Sequence, residues 1–165
     1  MTVPEARLFP PSGGVPNNPT LPVLIYRAAL PANADDIERR LTENGWDCRW
    51  RDGVFDFHHF HSTAHEALAL ARGSARLLIG GDGGAELELA AGDVLVLPAG
   101  TGHKRMSASP DLVIVGAYPP GQDYAIEKPD AASLGRAREA IARVPLPVSD
   151  PAEGAQGALT RLWKG

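Results

Sequence analysis

Four of the chain's five histidines, His58, His59, His61 and His65, fall within eight positions, and Glu66 follows directly. The fifth, His103, stands far downstream behind Pro98-Ala99-Gly100-Thr101-Gly102. Neutral imidazole is the commonest side-chain ligand for transition metals, and carboxylate oxygens accept divalent ions. In an extended segment side chains alternate, so His59 and His61 project to one side while His58 and Phe60 project to the other. His103 and a carboxylate at Glu66 would complete a set of three nitrogens and one oxygen. His65 is the rival to Glu66, because adjacent strand residues cannot both face inward. A set of four leaves one or two positions open on a five- or six-coordinate ion, which is what separates catalytic from structural sites. Such a site could take an enediol, catecholate or 2-oxo acid and activate dioxygen on iron, or act as a Lewis acid in an isomerisation or hydrolysis.

Strands and tight turns must position these groups, and the texture of the sequence from Gly53 onward is of that kind. His59 and His61 share the alternation phase of Phe55 and Phe57, so the four are expected to point together into an apolar interior. Unpaired imidazoles would be costly to desolvate there, and a metal removes that cost. Glu66 to Arg72 alternates, with Glu66, Leu68, Leu70 and Arg72 on one face and Ala67, Ala69 and Ala71 on the other. Arg72 at the strand end is expected to reach solvent along its aliphatic stem. Residues 76–79 and 85–89 read as a hairpin around Gly80-Gly81-Asp82-Gly83-Gly84, with Glu86 and Glu88 facing water. Val94 to Leu97 forms another apolar run, after which Pro98, Gly100 and Gly102 make a tight turn that delivers His103 to a further strand. Leu112 to Val115 is apolar on both faces, as a strand sandwiched between layers or at a subunit interface would be.

Upstream, prolines punctuate an arm (Pro4, Pro10, Pro11, Pro16, Pro19, Pro22) that leads into the apolar run Leu21 to Tyr26, where Pro22 predicts an edge strand. A short helix follows. Asn33 caps it, Asp35 and Asp36 sit in its first turn, Ile37 and Leu41 make its apolar stripe, and Gly45 ends it. Trp46 and Trp50 are expected as core or interface anchors without chemistry. Downstream, Ser133 is expected to cap a helix through Ala137, Glu139, Ala140 and Ile141 that ends near Pro145. The tail should dock through Leu162 and Trp163 on the body or on a second subunit.

Composition narrows the function classes. Glycine and proline supply a fifth of the residues, dispersed among apolar runs, which means many turns and short strands. A net charge of −4 with no basic stripe gives no nucleic-acid surface. No apolar run is long enough to span a bilayer, and residues 1–11 lack the pattern of a signal peptide. The lone Cys48 excludes multi-cysteine zinc sites and internal disulfides, and the pattern as a whole fits a reducing cytoplasm.

The spacing now has a counterpart. Gly53, His59, His61, Glu66 and Gly73 resemble the first cupin motif at every fixed position, and Gly92, Pro98, Gly100 and His103 resemble the second, whose usual final Asn is Ser107 here. The wider likeness is to small bacterial single-domain cupins of the YjlB type. It takes in Asn17-Asn18-Pro19, the run from His58 to Glu66, Pro98 to Lys104, Gly116-Ala117-Tyr118-Pro119 and Ala142-Arg143-Val144-Pro145-Leu146-Pro147. The resemblance implies a mainly β fold, the cupin double-stranded β-helix or jelly-roll barrel with short N- and C-terminal helices, often a homodimer. It implies a single domain over 1–165, with an arm and helix in 1–50, the barrel core in 51–118 and a helix and tail in 119–165. It also implies one divalent ion per chain (Fe, Mn, Ni or Zn) on His59, His61, Glu66 and His103, and the interval from Glu66 to Gly73 favours Glu66 over His65. The expected function is that of a metal-dependent enzyme, dioxygenase or isomerase, on a small organic molecule. A non-catalytic small-ligand-binding module is the alternative, because the barrel hosts both.

Overall fold

The computed structural model describes residues 3–164. Among the described residues, nine strands form two antiparallel sheets. They are β1 (Glu5–Arg7), β2 (Val23–Tyr26), β3 (Asp47–Asp52), β4 (Glu66–Arg72), β5 (Ser74–Ile79), β6 (Ala85–Ala90), β7 (Val94–Leu97), β8 (His103–Ala108) and β9 (Val113–Tyr118). The larger sheet runs β1-β2-β7-β4-β9-β3 and the smaller β6-β5-β8. This is the cupin barrel. Three helices accompany it: α1 (Ala34–Glu43), α2 (Leu134–Ala142) and the single turn α3 (Leu159–Leu162). None of the described helices is long and apolar enough to cross a membrane.

The alternation of β4 divides the molecule into two cores. Leu68 and Leu70 face the space between the sheets, where they meet Leu77, Ile79, Leu87, Leu89, Leu95 and Ile114. Ala67, Ala69 and Ala71 face outward and let Ile37 and Leu41 of α1, with Trp46 and Trp163, pack close against the sheet. Each leucine so buried contributes about 1.5–3 kcal/mol. The cap on α1 is as the sequence predicts: Asn33 accepts from the Asp36 amide, Asp35 and Asp36 occupy the first turn, and Gly45 follows at φ +86°. The β5–β6 hairpin also forms, with Glu86 and Glu88 exposed opposite Leu87 and Leu89.

Several expectations change. β2 is no edge strand, because β1 and β7 flank it and all four of its residues are buried. Pro22 stands one residue before the ladder, where its missing N–H costs nothing. Residues 53–57 form no strand, and only His59 and Phe60 pair, with His103 and Glu127. Without a ladder the segment bends, and Phe55 is left 48% exposed instead of interior. The C-terminal helix is preceded by a 3₁₀ turn whose cap is Asp130, accepting from the Ala132 amide, while Ser133 makes no cap and donates its hydroxyl to Asp130. Leu112 to Val115 enters β9, which β4 and β3 sandwich, with Ile114 and Val115 supplying opposite cores. Trp163 buries itself on the chain's own body, donating to the Pro22 carbonyl at 2.8 Å, while Leu162 stays 43% exposed.

Candidate metal centre

His103 opens β8 where the preceding turn releases it. Gly100 holds φ +92°, and a side chain there would run into Ile141 of α2. Gly102 lies against Val15. The arm lashes this turn in place, since Asn17 Oδ1 accepts from the Gly102 amide at 3.0 Å and Asn18 Nδ2 donates to the Ala99 carbonyl at 3.0 Å. His59 then pairs directly with His103 through reciprocal backbone hydrogen bonds of 3.2 and 3.0 Å, so the histidine segment continues the smaller sheet beyond β8. On its far side Phe60 pairs with Glu127, whose carboxylate also accepts from the Ser62 amide at 2.9 Å and from the Ser62 hydroxyl.

His59, His61 and His103 are buried, and one nitrogen from each lies within 4.8 Å of the others. Their tautomers follow from their partners. His59 Nδ1 meets the Phe57 carbonyl at 3.2 Å, His61 Nδ1 the Ala125 carbonyl at 3.1 Å, and His103 Nδ1 the Thr101 carbonyl at 3.0 Å. A carbonyl only accepts, so each Nδ1 carries the hydrogen and each neutral ring turns an Nε2 lone pair toward the common centre. Glu66 reaches the same centre, with Oε1 3.0 Å from His103 Nε2 and Oε2 3.3 Å from His61 Nε2. Buried and 2% exposed, it nonetheless leaves Oε1 without a hydrogen bond of good geometry, as does His61 at Nε2. Orphaned acceptor atoms on buried side chains are what a bound cation satisfies, so the donor set fits a divalent ion.

The electrostatics agree. Burial and the neighbouring His103 push the His59 imidazole down to about 3. Burial also disfavours charge on His61, but the Glu66 carboxylate outweighs it and draws its pKa up. Glu66, despite complete burial, is held well below the usual carboxylate range by His61 and His103. A proton on His61 and a metal ion therefore compete for the same lone pair.

A cavity of about 410 Å³ opens above these groups, walled by Phe55, Leu68, Tyr118, Tyr124 and Ile126, with Arg105 and Asp56 also in its lining. Phe55 stacks on Phe57 with centroids 4.9 Å apart and meets the His59 ring edge-on at 5.2 Å. The site thus has an apolar body around the histidine centre, with the charged Asp56 and Arg105 also on its wall.

Three of the singled-out residues lie elsewhere. His65 turns to the outer core, where its Nδ1 accepts from the Ala99 amide at 2.9 Å and its ring lies 4.9 Å from Trp163. Burial pushes it down to about 4, against an opposing pull from the Pro145 backbone. His58 faces the hairpin turn, 3.3 Å from Asp82. Arg72 reaches solvent beside Asp111, as its strand-end position predicts. What sequence reasoning missed is the ring of supports. Tyr118 donates to Glu66 Oε2 at 2.6 Å, Trp50 donates to the Tyr118 hydroxyl at 2.8 Å, and Glu127 ties down the histidine segment. Trp50 is accordingly more than an anchor.

Comparison with known proteins gives one close relative and several distant folds. The chain is 38% identical to the uncharacterized protein YjlB of Bacillus subtilis (strain 168) over 159 residues, 96% of each chain. A DUF861-family protein from Thermotoga maritima matches 58% of this chain and 94% of its own at 17% identity and a TM-score of 0.34. A Bacillus subtilis oxalate decarboxylase variant matches 67% of this chain and 28% of its own at 21% identity and a TM-score of 0.40. No family model matches.

Proposed function

The chain belongs to the family of small cupins that includes YjlB, and from that premise we propose that its barrel holds one divalent ion on His59, His61, Glu66 and His103 and uses it on a small organic molecule. The observation that carries this reading is the set of three Nε2 lone pairs, each aimed by a backbone carbonyl on the far side of its ring, converging beside an ionised carboxylate. Three neutral imidazoles and one carboxylate leave a divalent centre with a single net positive charge, suited to an anionic oxygen ligand such as an enediolate, catecholate or 2-oxo acid. Iron would supply oxygenase chemistry there, and a redox-inert ion Lewis-acid chemistry suited to isomerisation. The chain's own part is to hold the substrate's apolar body against Phe55, Leu68 and Ile126 and to keep water from it.

Metal analysis of protein purified without added metal, followed by oxygen uptake, tests this reading. One ion per chain is expected. The iron form, prepared anaerobically, should change its electronic spectrum with a substrate of these classes and then consume oxygen, whereas the zinc form should not. An isomerase would turn over with several metals and consume none. A binding module would show only ligand-dependent thermal stabilisation with no product. Protein that takes up none of iron, manganese, nickel or zinc overturns the metal site.

A homodimer is part of the same reading, although β9 and Trp163 are accounted for within one chain. Its support is the arm, since β1 is the outermost strand of the larger sheet, exposes all three side chains and is flanked by the exposed Val3 and Leu8. Light scattering at micromolar concentration should give twice the chain mass, and a monomer mass rejects it.

A further inference from the structure

Gly116 occupies the middle of β9 without a positive φ, so its backbone does not require glycine. Its neighbour does. Trp50 on β3 is its direct cross-strand partner, next to a bulge between Cys48 and Trp50, and the indole lies flat across the glycine. Any Cβ at 116 would overlap the indole's fused-ring carbons. Seated there, the Trp50 Nε1 reaches two residues along the same face of β9 to the Tyr118 hydroxyl at 2.8 Å. Tyr118 is 2% exposed, with Tyr124 stacked on its ring at 4.2 Å and His61 against it at 5.8 Å. A phenol has one hydrogen to give. With Trp50 donating to its oxygen, that hydrogen goes to Glu66 Oε2 at 2.6 Å.

We infer that Gly116, Trp50 and Tyr118 form a positioning relay that ties Glu66 Oε2 to the protein and presents Oε1 alone to the metal ion. The asymmetry is visible in the carboxylate itself, because Oε2 has the Tyr118 donor while Oε1 has no hydrogen bond. A carboxylate free at both oxygens can take two coordination positions, and one tied at Oε2 takes one. The relay therefore keeps a position free for an incoming ligand. Tyr118 and Trp50 act through Glu66 and are positioning residues. The inference rests on the metal reading above.

Cobalt(II) loading tests it without any enzymatic assay, because the visible spectrum of the ion reports its coordination and azide probes its open position. Wild-type protein, Tyr118→Phe, Trp50→Phe and Gly116→Ala are compared for cobalt content, spectrum and azide affinity, with circular dichroism to establish that each is folded. Tyr118→Phe is expected to keep one cobalt per chain with about 10- to 100-fold weaker metal affinity, an altered spectrum and azide binding at least about tenfold weaker. Trp50→Phe and Gly116→Ala should move spectrum and azide affinity the same way by less. Trp50→Phe decides the matter should Tyr118→Phe not fold. A Tyr118→Phe protein with wild-type spectrum and azide affinity overturns the relay while leaving the metal site intact. Wild-type protein that takes up no cobalt fails at the earlier step and overturns the metal reading itself.

Discussion

His65 and Glu66 are joined by one peptide bond and lie in opposite halves of the molecule. On the Glu66 side, three imidazoles give their Nδ1 hydrogens to backbone carbonyls and keep Nε2 for the centre. On the His65 side the arrangement is reversed, because Nδ1 accepts from the Ala99 amide and the ring serves as packing beneath Trp163. All four rings are buried, so burial does not distinguish a prospective ligand from a structural histidine. The identity of the backbone group at Nδ1 does. A carbonyl frees Nε2 for a ligand, and an amide consumes Nδ1 and commits the hydrogen to Nε2.

The strongest way to break this contrast is to delete imidazoles from one side and look for consequences on the other. The double variant His61→Ala, His103→Ala removes two of the four proposed donors and is expected to abolish stoichiometric metal binding, measured by elemental analysis after gel filtration. His58→Ala, equally close in sequence, should keep one ion per chain because its ring faces Asp82 and the hairpin turn. Full occupancy in the double variant would dissolve the distinction between the two sides.

The next effect belongs to the outer side. Trp163 is 3% exposed, shares a core with Ile37, Leu41 and Trp46, and donates to the Pro22 carbonyl, so the tail closes over the sheet through it. Tail and barrel are also joined at Asp150, fully buried, which accepts from the Tyr26 hydroxyl and from the amides of Ala152 and Leu159. Trp163→Ala should cost about 3–5 kcal/mol in chemical denaturation, as large-to-small core changes do. Its metal content should match the wild type, and loss of the metal in a folded variant would show the two sides to be coupled.

The sequence disclosed these two sides unequally. That His59, His61 and His103 lie together with Glu66 beside them was legible because glycine-proline turns and local alternation are short-range properties, and a motif of fixed spacings collects them. A period of two put Glu66 and His65 on opposite faces, and the motif interval from Glu66 to Gly73 chose Glu66 as the inward one. Tyr118, Trp50 and Glu127 were not legible, because each meets the site through pairing with segments more than fifty residues away in the chain. Gly116 stood within the wider likeness without a role until its partner across β3 and β9 was known. Phe55 misled for a related reason. Its phase extended an alternation that has no ladder to sustain it, and a segment whose backbone is tied to β8 only by the Arg105 amide at the Phe55 carbonyl need not keep a strand's period.

The smallest effect probes the boundary itself, at His65. Replacing it with Leu keeps the apolar contact with Trp163 but leaves the Ala99 amide buried without its acceptor, which costs about 1–3 kcal/mol. Asn has a side-chain oxygen in about the place of Nδ1, so His65→Asn should recover part of that loss while giving up ring contact with Trp163. The order of denaturation midpoints is therefore wild type, then Asn, then Leu. If packing against Trp163 were the whole of His65's role, Leu would stand above Asn. Metal content decides the other half of the contrast. Neither variant should lose the ion, because the hydrogen bond at His65 supports Ala99, which lies in the turn before His103 but is held separately by Asn18 at its carbonyl. A His65→Leu protein that stays folded and loses its metal would make His65 part of the centre, and the rule drawn from the Nδ1 partner would fail at the residue next to Glu66.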